Sequence, residues 1–296
     1  MKLMVQLSRI EDLDSVLKLP IEGVILPIQN VSHRVESPLS MDAFDDAVAR
    51  VKKADKKCWF NANRVFHEPD LAALDEVMQW LNLSPVDGLL FADLAVLAMA
   101  QRLNLEPLCC YHPETYVTSL EDTQFWFDRG IKRIILSREL PLDDLTQIAS
   151  KAQAHIGFVG HGYINLFHSK RPLLKHHGEQ TQTPGVSDAD FGSLKLKENQ
   201  RTDLYPIFED ASGTHIFRPK PRASFQVLKT LAEVLDFFII DGLMLDQTTL
   251  VNTIKDYIEA LQSDDLEPFI KKYQNKTDDG LYTPFTHASK GSADHD

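Results

Sequence analysis

The chain has 296 residues, of which 43% are apolar and 25% charged, an ordinary globular composition with enough mass for a large core. A formal net charge of −12 argues against wrapping nucleic acid over the whole surface, although a local basic site stays open. Residues 1–7 enter a strand pattern with no apolar signal segment, and no run is long enough to cross a bilayer, so a cytoplasmic protein without membrane contact is expected.

Short runs rich in Val, Ile, Leu and Phe fall at 2–7, 23–27, 58–63, 88–92, 107–111, 133–136, 156–160 and 237–243. Segments of helical period fall between most of them, at 41–52, 69–81, 95–103, 120–129, 142–154 and 225–235, with a last helix at 248–261. The first unit is weak, because only 10–19 is available as its helix. Strands apolar on both faces that alternate with helices imply a parallel sheet covered by helices. Eight such units match a (β/α)8 TIM-like barrel, with an open parallel α/β sheet as the alternative. A single barrel-like domain over residues 1–275 follows.

One stretch breaks the rhythm. Residues 163–222 contain no barrel unit, and a structureless loop of that length is expected only as a functional insertion. Its second half, around Ala211, Ser212 and Gly213, reads as a β-hairpin. Its first half, with Lys170, Arg171, Lys175, His176 and His177, reads as a basic loop. The insertion leaves the end of the seventh strand, where it would form a lid or a partner-binding surface. Residues 276–296 read as a disordered polar tail.

In parallel α/β proteins ligands sit at the carboxyl ends of the strands. Two neighbouring strands end in chemically able residues, one in Ser137, Arg138 and Glu139, the other in Gly160, His161 and Gly162. With Asn61, Asn63, Asp93, His112 and Asp241 they make a ring of candidates. Arg138 suits a carboxylate or phosphate; Glu139, His161 and Asp241 suit proton transfer. Asn61, Asn63, His112, Lys170 and Arg171 suit substrate binding. The structural alternatives are that Asp93 and Glu139 cap helices, that Arg138 forms an ion pair, and that His161 sits in a tight turn. The histidines at 161, 168, 176 and 177 have no carboxylate or thiolate at ligand spacing, so no metal site is expected. The three cysteines, Cys58 and the adjacent Cys109 and Cys110, form neither a disulfide framework nor a zinc pattern and read as buried thiols. Hydrolase and nucleotide-binding signatures are absent.

Residues 130–140, ending in Leu136, Ser137, Arg138, Glu139 and Leu140, resemble a segment of the collagenase-like peptidase family U32. Three further segments resemble that family in the same order: His161-Gly162 followed by 169–174; Tyr205-Pro206 with Glu209-Asp210, Gly213-Thr214 and Ile216-Phe217; and 239–244. Many relatives carry cysteines that hold an iron–sulfur cluster, but here Asn165 and Pro172 stand in such places, so no cluster is expected on this chain. At the last strand Ile239 replaces a Lys, Asp241 a Glu and Leu243 an Arg. The resemblance implies two kinds of function. One is peptide hydrolysis; the other is oxygen-independent hydroxylation, including 5-hydroxylation of the transfer-RNA wobble uridine, with prephenate as a co-substrate. A short, cysteine-poor chain resembles the shorter of two paired family members. The expectation is a component of transfer-RNA hydroxylation that works beside a longer relative. A peptidase, or a subunit without chemistry of its own, is the alternative.

Overall fold

The computed structural model describes residues 1–183, 192–197, 199 and 202–278. Eight strands close into a barrel: β1 (Lys2–Gln6), β2 (Gly23–Pro27), β3 (Lys57–Ala62), β4 (Gly88–Phe91), β5 (Cys109–Tyr111), β6 (Arg133–Ile135), β7 (His155–His161) and β12 (Phe237–Asp241). Every neighbouring pair is parallel, and β1 pairs with both β2 and β12, which excludes the open sheet. Alternate residues divide between two cores, as the two-residue period of a strand requires. Met4, Ile25, Trp59, Leu90, Cys110, Ile135, Val159, Phe237 and Ile239 fill the barrel axis. Their neighbours, such as Val5, Leu26, Phe60, Phe238 and Ile240, point outward to the helices.

Those helices are α1 (Leu13–Leu17), α2 (Met41–Lys53), α3 (Leu71–Leu81), α4 (Leu94–Arg102), α5 (Leu120–Asp128), α6 (Leu142–Lys151), α8 (Leu228–Val234), α9 (Gln247–Gln262) and α10 (Glu267–Tyr273). Local chemistry sets their starts. Ser40 accepts from the Ala43 N–H, Asp246 from Thr249, and Ser119 forms a capping box with Asp122. α2 then buries Phe44, Ala47, Val48 and Val51, and full burial of a side chain the size of Phe or Val is worth roughly 1.5–3 kcal/mol. The weak first unit is a short 3-10 turn followed by only five residues of α1. No helix among the described residues is long and apolar enough to cross a membrane.

The insertion leaves the carboxyl end of β7 and builds its own antiparallel sheet. Its elements are β8 (Asn165–Ser169), α7 (Leu173–Thr181), β9 (Lys195–Lys197), β10 (Leu204–Asp210) and β11 (Gly213–Phe217), ordered β8-β11-β10-β9 in the sheet. The expected hairpin is β10 and β11. The expected basic loop is instead a strand and a helix. Pairing with β11 stabilises β8, and that long-range contact leaves no alternating apolar pattern in a strand whose Leu166, Phe167 and His168 are all exposed. Phe208 and Phe217 dock the sheet onto the barrel by packing against Leu243.

The chain's return from the insertion is pinned deeply. The Arg222 side chain, 1% exposed, donates to the Arg138 carbonyl and to the Val159 carbonyl (3.4 Å), and its guanidinium lies 5.0 Å from the Phe158 ring centre. Residues 276–278, expected to begin a disordered tail, are attached here: the Asp278 N–H donates to the Pro221 carbonyl at 2.8 Å and its carboxylate pairs with Arg218 at 3.2 Å. Residues 279–296 lie outside the described residues.

Candidate functional site at the carboxyl mouth of the barrel

The last inward-pointing position of several strands is polar, and these side chains meet beneath the insertion. Asp241, at the end of β12, is 4% exposed; it accepts from the Leu243 N–H at 3.2 Å and from Gln6 Nε2 at 3.4 Å. Arg138, also 4% exposed, places Nη2 3.8 Å from the Asp241 carboxylate and 3.6 Å from that of Glu114. Glu114 in turn pairs with Arg34, whose Nη1 donates to it at 2.9 Å. Arg34 Nη2 also donates to His33 Nε2 at 2.6 Å.

Arg34 and Glu114 both hold left-handed backbone, with φ of 55° and 66°. Such conformations cost roughly 1–3 kcal/mol each outside glycine and persist where surrounding structure over-determines them. The ion pair of buried Arg34 with half-buried Glu114 therefore carries that cost on both partners.

His112 completes the group from the end of β5. It is fully buried, and Asn63 Nδ2 donates to its Nδ1 at 2.8 Å, while Asn61 Oδ1 accepts from the Asn63 N–H at 3.0 Å. With Nδ1 as an acceptor, the neutral ring carries its proton on Nε2. Among the described residues that atom has no hydrogen-bond partner, and neither have Arg138 Nε, Gln6 Oε1 or Asn63 Oδ1. Each such buried group costs about 1–3 kcal/mol unless something hydrogen-bonds it. Two donors and two acceptors left over at one barrel mouth are the signature of a polar ligand site.

Burial dominates the electrostatics. It holds the His112 ring well below the usual imidazole range, with Arg138, Arg34 and His33 acting in the same direction. It lowers Arg34 to about 9, helped by Arg138 and opposed by Asp241 and Asp210. It also raises Asp241 above the ordinary carboxylate range, despite Arg138 beside it. At neutral pH the mouth therefore offers a neutral histidine donor and two closely placed guanidinium groups.

The insertion forms the roof. Asp210 accepts from the Arg34 N–H at 3.0 Å, and the His215 ring lies 6.2 Å from that of His33. A cleft of about 160 Å³ between the loop after β2 and the hairpin turn is lined by Asn30, Ser32, Arg64, Asp210 and Ser212. Ser212, His215 and Asp210 stand together but make no hydrolytic relay. Ser212 Oγ and the Asp210 carboxylate approach the same nitrogen, His215 Nε2, at 3.0 and 3.4 Å, and Ser212 Oγ itself lies 2.5 Å from Asp210. A nucleophile and its orienting acid need opposite ring nitrogens.

Arg138, Asp241, Asn61, Asn63 and His112 are thus brought to one place. His161 and Glu139 are not. A register shift between β7 and β12 sets His161 opposite the outward-facing Ile240. The ring packs against Tyr257 and Tyr273, with Nδ1 3.3 Å from the Tyr257 hydroxyl, and burial lowers its pKa to about 3. Glu139 is exposed, and its N–H donates to Ser137 Oγ. Asp93 accepts from the Ala95 and Phe66 N–H groups, as a helix cap. Lys170 pairs with Asp70 at 3.3 Å, which fastens the insertion to the barrel rim, and Arg171 is exposed.

Sequence reasoning missed Gln6, His33, Arg34, Glu114 and Arg222. Gln6 and Glu114 were accessible, one near the end of the first apolar run and the other two residues past His112. Nothing local distinguishes Arg34, which reaches the site through a loop.

The residues present do not fit an iron–sulfur cluster. Asn165 donates to the Phe167 and Ile216 carbonyls and Pro172 immediately precedes α7. Burial pushes the thiols of Cys58 and Cys109, in the barrel wall, up to about 12, and that of Cys110 higher still. Among the described residues no three His, Cys, Asp or Glu side chains are grouped to hold a metal ion.

Fold and site define a (β/α)8 barrel protein with a lidded, polar carboxyl mouth. The chain belongs to peptidase family U32, whose model matches residues 8–291. It is 30% identical over 236 residues to tRNA hydroxylation protein P2 of Bacillus subtilis (strain 168), covering 79% of this chain and 76% of that protein. It is 28% identical over 247 residues to an uncharacterized protease of Methanocaldococcus jannaschii, covering 77% of this chain and 59% of the relative. With tRNA hydroxylation protein P1 of Bacillus subtilis the identity is 19% over 231 residues, covering 76% of this chain and only 55% of that protein. A solved U32 peptidase structure aligns with a TM-score of 0.49 at 11% identity, covering 81% of this chain and 92% of that one.

Proposed function

We propose that this chain is a component of transfer-RNA wobble-uridine 5-hydroxylation and that the carboxyl mouth holds the small-molecule or nucleotide part of that reaction. The similarity to tRNA hydroxylation protein P2 carries the reading. The site chemistry supports it. Arg34 and Arg138 suit an anionic partner, and a dicarboxylate such as prephenate matches two guanidinium groups better than one. His112 Nε2–H and Arg138 Nε–H would donate to it, and Asp241 would hold Arg138 in position. Exposed Arg171, Lys175, Lys195 and Lys197 on the insertion would meet the RNA backbone locally, within an acidic protein. A longer, cluster-bearing family member is the proposed partner.

Peptide hydrolysis is the less favoured reading, because the Ser212, His215 and Asp210 arrangement lacks the required geometry and the thiols are held protonated. Nucleoside analysis of transfer RNA from a strain lacking this chain tests the proposal. Loss of the hydroxylated uridine, restored by the intact gene, is expected. Unchanged RNA together with peptide cleavage by the purified chain would reverse the ranking.

A further inference from the structure

At the opposite end, the amino-terminal mouth of the barrel forms a half-open cavity of about 490 Å³. TIM barrels normally fill this end with side chains, and a cavity of this size is in the range that holds a small ligand. Two aromatic walls, Trp59 and Phe237, meet edge to face at 5.4 Å. Glycines on adjacent strands let these rings lie flush against the barrel wall. A Cβ at Gly88 would come within 2.6 Å of the Trp59 ring, and one at Gly157 within 2.1 Å of the Phe237 ring. The rings therefore cap the packed axis and form the apolar floor of the cavity.

The charges around the mouth are unequal in one respect. Lys2 is paired with Glu22 at 3.0 Å, Lys57 with Asp87 at 3.3 Å and His155 with Asp236 at 3.1 Å. Arg133 has no carboxylate partner among the described residues. Its Nη1 donates to the carbonyls of Leu108 (3.2 Å) and Asp87 (3.4 Å), and its guanidinium stands 5.5 Å from the Trp59 ring centre. Two backbone bonds on one nitrogen fix the guanidinium in place while the other nitrogens remain for a ligand.

We propose that this mouth is a second ligand site, for a small planar aromatic anion whose ring lies against Trp59 and Phe237 and whose carboxylate or phosphate is bound by Arg133. The site is separate from the carboxyl mouth and does not depend on the role in RNA modification. Two sources share this chemistry, an aromatic carboxylate and a nucleotide, so 4-hydroxybenzoate and uridine 5′-monophosphate are the two probes. Each is titrated into the purified full chain while tryptophan fluorescence is followed. Saturable quenching by at least one probe at millimolar concentration or below is expected, and the probe that binds identifies the source. The quenching should vanish in Trp59→Phe, leaving the signals of Trp80 and Trp126. In Arg133→Lys, which keeps the charge and loses the fork, affinity should fall by roughly tenfold. Arg133→Met should abolish binding; if it fails to fold, Arg133→Lys still decides. No saturable response to either probe, quenching that survives Trp59→Phe, or unchanged affinity in a folded Arg133→Lys protein would each overturn the proposal.

Discussion

Asp241→Asn separates a functional cluster from a structural ion pair. At 3.8 Å and an effective dielectric of about 20, the attraction between Asp241 and Arg138 is roughly 4 kcal/mol. Removing a carboxylate from water costs several kcal/mol, and Asp241 is 4% exposed. The direction of its pKa decides the sum: burial raises it in spite of Arg138, so the ionised form is a net cost to the fold. Asparagine keeps the shape and the acceptor for the Leu243 N–H while removing that cost. The variant should therefore be more stable at pH 7, by about 1.4 kcal/mol for every tenfold by which burial raises the carboxyl's proton affinity, measured as a higher urea midpoint with unchanged slope. The sign follows from linkage. A group whose folded pKa is raised favours the fold only while protonated, so the advantage of Asn should shrink as pH falls through that pKa and disappear below the ordinary carboxylate range. The same variant should lose transfer-RNA hydroxylation, a trade of stability for activity. Destabilisation by 1 kcal/mol or more, of order the low end of a structural effect, would refute the reasoning and make the pair a structural one.

The buried histidines should make the protein acid-sensitive. His161 is lowered to about 3 and His215 to about 4 by burial, so stability is full above the free imidazole range and falls as the unfolded state takes up protons. For His161 alone the loss by pH 5 is about 2 kcal/mol, and His161→Gln should flatten the pH dependence of the urea midpoint by that amount. Gly157→Ala places a methyl 2.1 Å from the Phe237 ring and should destabilise by about 3 kcal/mol, with partial recovery in the Phe237→Leu background. Glu139→Ala, at an exposed position, should change stability by less than about 0.5 kcal/mol and leave transfer-RNA hydroxylation intact.

The barrel was legible because its signal is local. All eight strands lie within two residues of the apolar runs that announce them, since an all-buried strand shows its period in its own residues. Arg138, Asp241 and His112 were legible for the same reason, two of them just past such a run and Asp241 inside one. His161 follows a run too, but a register shift against β12 turns it outward to Tyr257, and nothing in residues 155–162 encodes a shift that depends on residues 237–241. Arg34 and Arg222 enter the site from loops, through contacts spanning many residues along the chain. β8 was missed because its partner β11 lies more than forty residues away and its outer face is exposed.

The central claim is that the Arg138-centred carboxyl mouth serves transfer-RNA hydroxylation. It is tested most directly by hydroxylated-uridine content in a deletion strain carrying Arg138→Lys, with Glu139→Ala as the matched control and both proteins confirmed as folded and equally abundant. The account predicts that Arg138→Lys, which keeps the charge and loses the two-pronged geometry, fails to restore the nucleoside while Glu139→Ala restores it. Full restoration by Arg138→Lys would contradict it.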